Sequence, residues 1–177
     1  NPIYPTIVVG PPLQEDGFLG KASERIFLPL IKMTFSEIRD LCVPIETCFH
    51  NLAVVAIKKQ YPGHAKKIMH SLWGTGQLMF SKCIIVVDED VNVQNLTEVA
   101  WRVSNNIDAR RDLLFSEGPV DALDHAAPQF AYGSKMGIDA TRKWREEGFT
   151  REWPEVIRMK GEVKRRVEEM WERLEIS

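Results

Sequence analysis

Two apolar runs, NLAVVAIK at 51–58 and CIIVVDEDV at 83–91, constrain the fold of this chain more than any other feature. Both are short, and the first is rich in β-branched and small side chains, as suits a strand covered on both faces of a sheet. Between them YPGHAKK breaks the first run, after which Ala65, Ile68, Met69, Leu72 and Trp73 recur at helical spacing. A strand, a helix and a strand in this order form a crossover between parallel neighbours.

The rest of the chain continues the alternation. GPPLQEDGFLG, from Gly10 to Gly20, packs two prolines and three glycines into one stretch and reads as a loop that precedes any helix. Leu19, Ala22, Ile26, Leu30 and Met33 then form a helical stripe, with Pro29 as its expected kink. Ile38 to Ile45 reads as a strand. Asn95, with Glu98 three residues on, is a helix N-cap, and the apolar face it opens is Leu96, Val99, Ala100 and Val103. Asp112 to Phe115 is one more strand. From Glu117 to Thr150 periodicity is lost, and an irregular stretch of this length is functional or docks on a neighbour. A last helix is expected from Pro154 to Glu175, with Val156, Val163, Val167, Met170, Trp171 and Leu174 along one face. The expectation is an α/β fold: a mixed sheet packed with helices over 1–153, an irregular segment at 117–150, and a carboxy-terminal helix over 154–177.

Charge and cysteine usage narrow the function classes. With 23 basic against 25 acidic side chains the net charge is -2, which gives no footprint for nucleic acid or an anionic membrane. The longest apolar run is the six residues 52–57, against the roughly 20 needed to span a bilayer, so no transmembrane segment is expected. Cys42, Cys48 and Cys83 are odd in number and lack CxxC spacing, the usage of a cytoplasmic chain with reduced thiols. The chain begins at Asn1 without a methionine, which reads as a cut within something larger.

Candidate chemistry is sparse. Asp88 and Asp90 share one side of a strand end, where they would hold a hard cation or form a solvated end; the solvated end is the expectation. His50, His64, His70 and His125 lack the four-residue spacing of a shared zinc site, so no metal site is expected within the chain. Cys42, Cys48 and His50 read as buried thiols and a bystander imidazole. His125 lies between Asp124 and Ala126 in the irregular segment with no nucleophile to pair with. Neither GxGxxG nor GxxxxGK[ST] occurs, so the standard phosphate cradles are missing. Glu15 and Asp16 ahead of the first helix either cap it or face a pocket, and capping is expected for Asp16.

Read together, NPIY, GPPLQEDGFLG, LAVVAIKKQYPGHAKKIM, CIIVVDEDVNV and GSKMGIDATRKW resemble, in order, the carboxy-terminal part of the UbiD-like decarboxylases of the ubiquinone and menaquinone pathways. The resemblance implies a non-oxidative, reversible decarboxylase of aromatic or unsaturated acids, with a 4-hydroxybenzoate-type quinone precursor as substrate. It implies prenylated FMN, a divalent metal ion and potassium in the full-length enzyme, held with the catalytic arginine and acids by missing amino-terminal domains. No catalytic residue and no cofactor is expected in this chain alone. The same resemblance assigns Glu15, Leu19 and Leu123 to the substrate pocket, with 119–128 as a mobile gate. It places Gly76 where some relatives put a cation near the cofactor. Met170, Trp171 and Leu174 are then the anchors of a homodimer or larger assembly. The alternative is a non-catalytic α/β module that dimerises through its sheet edge or last helix.

Overall fold

The computed structural model describes residues 14–48, 51–157 and 159–173, with side chains described from Gly17 to Trp171 within those limits. The elements run α1 (Gln14–Thr34), β1 (Ile38–Cys42), β2 (Leu52–Ile57), α2 (His64–Trp73), β3 (Cys83–Asp88), α3 (Leu96–Asn106), α4 (Ala109–Asp112), β4 (Leu113–Pro119), β5 (Tyr132–Asp139) and α5 (Gly161–Arg173). Short 3-10 turns lie at Ile45–Thr47, Gly76–Phe80 and Arg145–Glu147. The described strands form one five-stranded sheet in the order β1-β2-β3-β5-β4. β2, β3 and β5 are parallel, and antiparallel β1 and β4 close the two margins. The expected mixed α/β architecture is what forms.

β2 is buried on both sides because its alternate residues feed two cores. Ala53, Val55 and Ile57 join Ile68, Met69, Leu72, Ile84 and Val86 under α2. Val54 and Ala56 meet Val87, Val91, Val93 and Val99 under α3 on the other face. Fully burying each of these aliphatic side chains stabilises the fold by about 1.5–3 kcal/mol, so the central strands are its firmest part. α3 is capped as its sequence indicates, with the Asn95 side chain accepting from the Glu98 N–H at 3.3 Å.

Four local expectations are corrected. Gly10 to Gly20 is not wholly a loop, since α1 already runs from Gln14 and carries Asp16 inside it; Gly17 sits within the helix where a Cβ would lie 2.6 Å from Ile45 Cγ2, so glycine there permits the close approach of α1 to the turn at Ile45. β1 stops at Cys42, as Pro44 leads into the 3-10 turn without a ladder N–H. The segment 117–150 is not irregular throughout: β4 runs on to Pro119 and pairs with β5, whose Gly133 and Gly137 hide it from a propensity reading. Gly137 marks a close approach, because a Cβ there would sit 2.5 Å from the Met69 sulfur. The last helix starts at Gly161, not Pro154, because Trp153 is held back by the Lys143 carbonyl at 2.9 Å and by stacking on Phe149.

α1 continues through Pro29 and turns its apolar stripe the other way. Its inward face is Gly17, Gly20, Glu24, Leu28 and Ile31. Buried Glu24 anchors that face, accepting from Val43 N–H at 2.5 Å, Lys21 Nζ at 3.0 Å and Gln94 Nε2 at 3.2 Å. Phe18, Leu19, Ile26, Phe27, Leu30 and Met33 consequently point outward.

Candidate functional site

Three segments with highly particular sequences meet at the carboxy-terminal edge of the parallel strands: 58–67 after β2, 88–91 after β3 and 140–147 after β5. Glu147 ties the first to the last. Its Oε2 receives Lys59 Nζ at 2.5 Å and Trp144 N–H at 2.9 Å, and its Oε1 receives Gly63 N–H at 2.9 Å. Lys59 also donates to Thr141 Oγ1 at 3.2 Å and to the Arg142 carbonyl at 2.9 Å. Gly63 sits at φ 75°, a left-handed conformation that glycine adopts at little cost. Lys143, equally buried, donates to the carbonyls of Asp139 and Thr141, both at 2.7 Å, and pairs with Asp139 Oδ1 at 3.0 Å. Asp112 grips Arg111 through two bonds of 2.9 Å.

Arg142 spans the acids that end β3. It reaches Asp88 Oδ2 at 3.2 Å through Nε and Asp90 Oδ2 at 2.6 Å, and Arg102 adds a contact to Asp90 at 3.2 Å. Burial lifts the Asp88 carboxyl above its ordinary pKa against the pull of Arg142. At Asp90 burial acts the same way but the two arginines outweigh it, and the pKa falls. These acids are thus paired rather than solvated or poised for a cation. Between the segments lies a cleft of about 240 Å³ lined by Gly63, Lys66, Arg111, Asp112, Glu146 and Glu147, among others. Its buried carboxylates already hold cations or N–H groups, so they order the loops of this edge.

A second cluster braces the same edge. Gln60 N–H donates to His64 Nδ1 at 3.2 Å, which leaves Nε2 to donate to Glu37 Oε1 at 3.1 Å. Tyr61 stacks on the imidazole at 4.1 Å, and Lys67 donates to Glu37. Burial alone would raise the Glu37 pKa, but Lys67, a backbone N–H and His64 together hold it at about 2, against an ordinary 4.5. A depressed carboxylate contributes stability above the unfolded value that is lost as pH falls towards the folded one. Glu37→Gln should therefore be less stable than the unmodified chain near neutral pH, and the gap should close between about pH 5 and pH 2. Urea unfolding across that range checks this, and a gap independent of pH would refute it.

The opposite, amino-terminal edge holds the residues assigned by resemblance. The turn Ile45–Thr47 lies there, as do the turn Gly76–Phe80 and the loop 120–131 joining β4 to β5. Lys82 ties that loop down through Asp124 at 2.8 Å, and Asp121 accepts from Leu123 N–H at 2.8 Å. Lys135 is buried beneath the turn, donating to the Met79 carbonyl with the Trp73 ring 5.8 Å away. Leu19 is 65% exposed on α1 beside β1, and Leu123 is 69% exposed beyond β4. They share an edge but stand at opposite margins of the sheet, so the described chain does not bring them together. Glu15 lies in α1 with its side chain outside the described residues, and Leu174 and His50 also fall outside them. Met170 and Trp171 are exposed on α5. His125 is exposed, while the Asp124 beside it is committed to Lys82.

Cys42 is buried with Lys21 Nζ at 3.4 Å from its sulfur, and burial pushes the thiol pKa up. Among the described residues no group of three or more His, Cys, Asp or Glu is arranged for a metal ion. Apart from Gly63, every residue lining the charged cleft is ionisable, and none is an aromatic or aliphatic side chain on which a flavin ring would stack. This cleft and the paired acids beside it therefore do not fit the implied ion or flavin, and no step is derived through either. The buried side chains of Lys59, Lys143, Glu147, Arg102 and Asp112 escaped the sequence reading because periodicity selects apolar positions; only Lys59, in KKQYPGH, and Lys143, in DATRKW, lie in segments that the sequence marked.

The described residues thus form a five-stranded α/β domain with a locked carboxy-terminal edge, an outward apolar helix and a hairpin loop. The chain belongs to the family of the 3-octaprenyl-4-hydroxybenzoate carboxy-lyase C-terminal domain, which matches residues 17–140. It is 54% identical to an uncharacterized protein of Aquifex aeolicus over its whole length, covering 36% of that protein, and 52% identical to one of Archaeoglobus fulgidus over 97% of its length, again covering 36%. The chain thus spans about a third of the length of these relatives. Among solved structures it is similar to the closed form of vanillic acid decarboxylase of Sedimentibacter hydroxybenzoicus, with 28% identity, a TM-score of 0.71 and coverage of 82% of this chain and 30% of that one. It is likewise similar to the UbiD-class enzyme HmfF of Pelotomaculum thermopropionicum in complex with FMN, with 25% identity, a TM-score of 0.69 and coverage of 82% and 32%.

Proposed function

We propose that this chain is the carboxy-terminal part of a cytoplasmic, prenylated-FMN-dependent, non-oxidative decarboxylase of aromatic or unsaturated acids, and that it helps to close the substrate pocket. The observation that carries the reading is the outward face of α1. Six large apolar side chains there, Leu19 among them, lie uncovered by the described chain, an area too extensive for a free surface. The remainder of a longer enzyme is its natural cover, since the relatives are nearly three times as long as the region they share with this chain. That remainder supplies the flavin, a divalent ion, potassium and the proton-transfer groups. The prenylated flavin would serve as the electron sink for loss of carbon dioxide. A 4-hydroxybenzoate-type quinone precursor is the substrate we favour, in keeping with the family's description. We assign Glu15 and Leu19 of α1 and Leu123 of the hairpin loop to the pocket, with 119–128 as the gate. That vanillic acid decarboxylase occurs in open and closed forms supports a moving element in this class.

The test uses the complete enzyme. Leu123→Ala should lower kcat/KM for the native acid by about tenfold or shift the substrate range, while stability changes by less than about 1 kcal/mol because the side chain buries little here. A loss of about 2–5 kcal/mol, the cost of truncating a core leucine, would show that Leu123 is packing and not a gate. The 177-residue chain by itself should release no carbon dioxide from any aromatic acid and retain no flavin absorbance; turnover or a stoichiometric flavin band would overturn the division of labour.

A further inference from the structure

The fold brings an amine onto a thiol. Lys21 of α1 and Cys42 at the end of β1 stand 21 positions apart in the chain, and Lys21 Nζ donates to Cys42 Sγ at 3.4 Å. Glu24 Oε2, 3.0 Å away, and the Gln94 side-chain oxygen accept from the same nitrogen and hold it there. Glu24 is fixed in turn by the Val43 N–H at 2.5 Å, one residue beyond the cysteine. A cavity of about 180 Å³ opens on the pair, lined by both residues with Ile45, Glu46 and Gln94 among others. That is several times the roughly 30 Å³ of a water molecule, so a small polar oxidant reaches a sulfur whose residue is otherwise 3% exposed. A held amine, a thiol in contact with it and a cavity that opens on both are the parts of a covalent link.

We propose that Lys21 and Cys42 form a redox-controlled bridge in which one oxygen atom joins Nζ to Sγ, with a hydroperoxide as the oxidant. Two molecules of hydrogen peroxide balance the reaction. The thiol attacks the first: an S–O bond forms, the O–O bond breaks, water leaves, and sulfur is oxidised by two electrons to the sulfenic acid. Lys21, whose side chain is 34% exposed, releases its ammonium proton to solvent. The neutral amine and the sulfenic acid then lose one hydrogen each as the N–O bond forms. The second peroxide takes up those two hydrogens, with two electrons from nitrogen, and leaves as two waters. The 3.4 Å gap favours this product over a direct N–S bond, since one intervening oxygen spans most of the distance and a direct bond would draw two anchored elements much closer. Burial pushes the Cys42 thiol up, so the first step quickens as pH rises. The bridge fastens α1, with its bare apolar face, to the sheet margin until a thiol reductant releases it. It is independent of the decarboxylase reading, because both residues and the cavity lie within this chain.

Hydrogen peroxide added to the 177-residue chain at mildly alkaline pH, followed by tryptic peptide mass spectrometry, tests this. Lys21 and Cys42 should appear in one branched species about 14 Da heavier than its two parts, with one oxygen gained and two hydrogens lost. Cleavage after Lys21 should be lost, and dithiothreitol should restore both the separate peptides and the cleavage. The bridge should raise the unfolding midpoint by at least about 5 °C, because it restricts the unfolded chain. In Lys21→Arg, which keeps the positive charge, Cys42 should go on to the sulfinic acid, about 32 Da heavier, and the midpoint should not rise. Cys48 and Cys83, whose sulfurs accept from no described amine, are internal controls. Sulfinic acid at Cys42 of the unmodified chain without a link, a Cys42 that peroxide leaves unchanged, or a linked species about 2 Da lighter than its parts would each overturn the oxygen bridge.

Discussion

Glu147→Ala is expected to destabilise the chain by about 3–5 kcal/mol, the cost of leaving a buried charge without its partner. Lys59 would lose its carboxylate while its side chain remains 4% exposed, and the N–H groups of Gly63 and Trp144 would lose their acceptor. The pair is expensive to break but not irreplaceable. Lys59→Met with Glu147→Leu should recover a large part of the loss, because apolar replacement removes both desolvated charges together. Chemical denaturation of the two variants measures this. A single-variant loss below about 1 kcal/mol would mean that water reaches Lys59 and that the carboxy-terminal edge is looser than its hydrogen bonds indicate.

Lys135→Met should act in the opposite direction. Lys135 is buried with the Met79 carbonyl as its hydrogen-bond acceptor among the described residues and the Trp73 ring 5.8 Å away, and burial pushes its pKa down to about 8 from 10.5. Between those two values the unfolded chain binds more protons than the folded one, so stability rises with pH across the window. Near neutral pH the buried ammonium costs the fold up to about 3 kcal/mol. Methionine fills a similar volume without charge, and a net gain of about 1–2 kcal/mol at pH 7 is expected after the lost hydrogen bond is counted. The gain should shrink as pH rises from about 8 and disappear above about pH 11, where lysine is largely neutral in both states. Destabilisation at pH 7 would reveal an interaction beyond Met79. In the complete enzyme the same variant should reduce activity, because it frees the turn Gly76–Phe80 on the edge proposed to face the substrate.

Sequence alone determined the parts of this protein in which one physical pressure acts along a short stretch. LAVVAI and CIIVV had to be buried strands, because no other local structure hides so many β-branched and small apolar groups. Asn95 had to open a helix, and the family motifs carried kinship without any coordinates. Tertiary structure decided what depended on partners distant in the chain. β5 exists because β3 and β4 flank it and Met69 presses on Gly137, although its glycines argue locally against a strand. The inward face of α1 was decided by Glu24, whose burial is favourable only because Val43, Lys21 and Gln94 converge on it from elsewhere. The apolar stripe visible in the sequence was thereby turned outward. The same holds for Lys59, Glu147 and Arg142: the sequence does not declare which charges will pair, and only the folded sheet brings residues 52 to 88 positions apart within bonding distance.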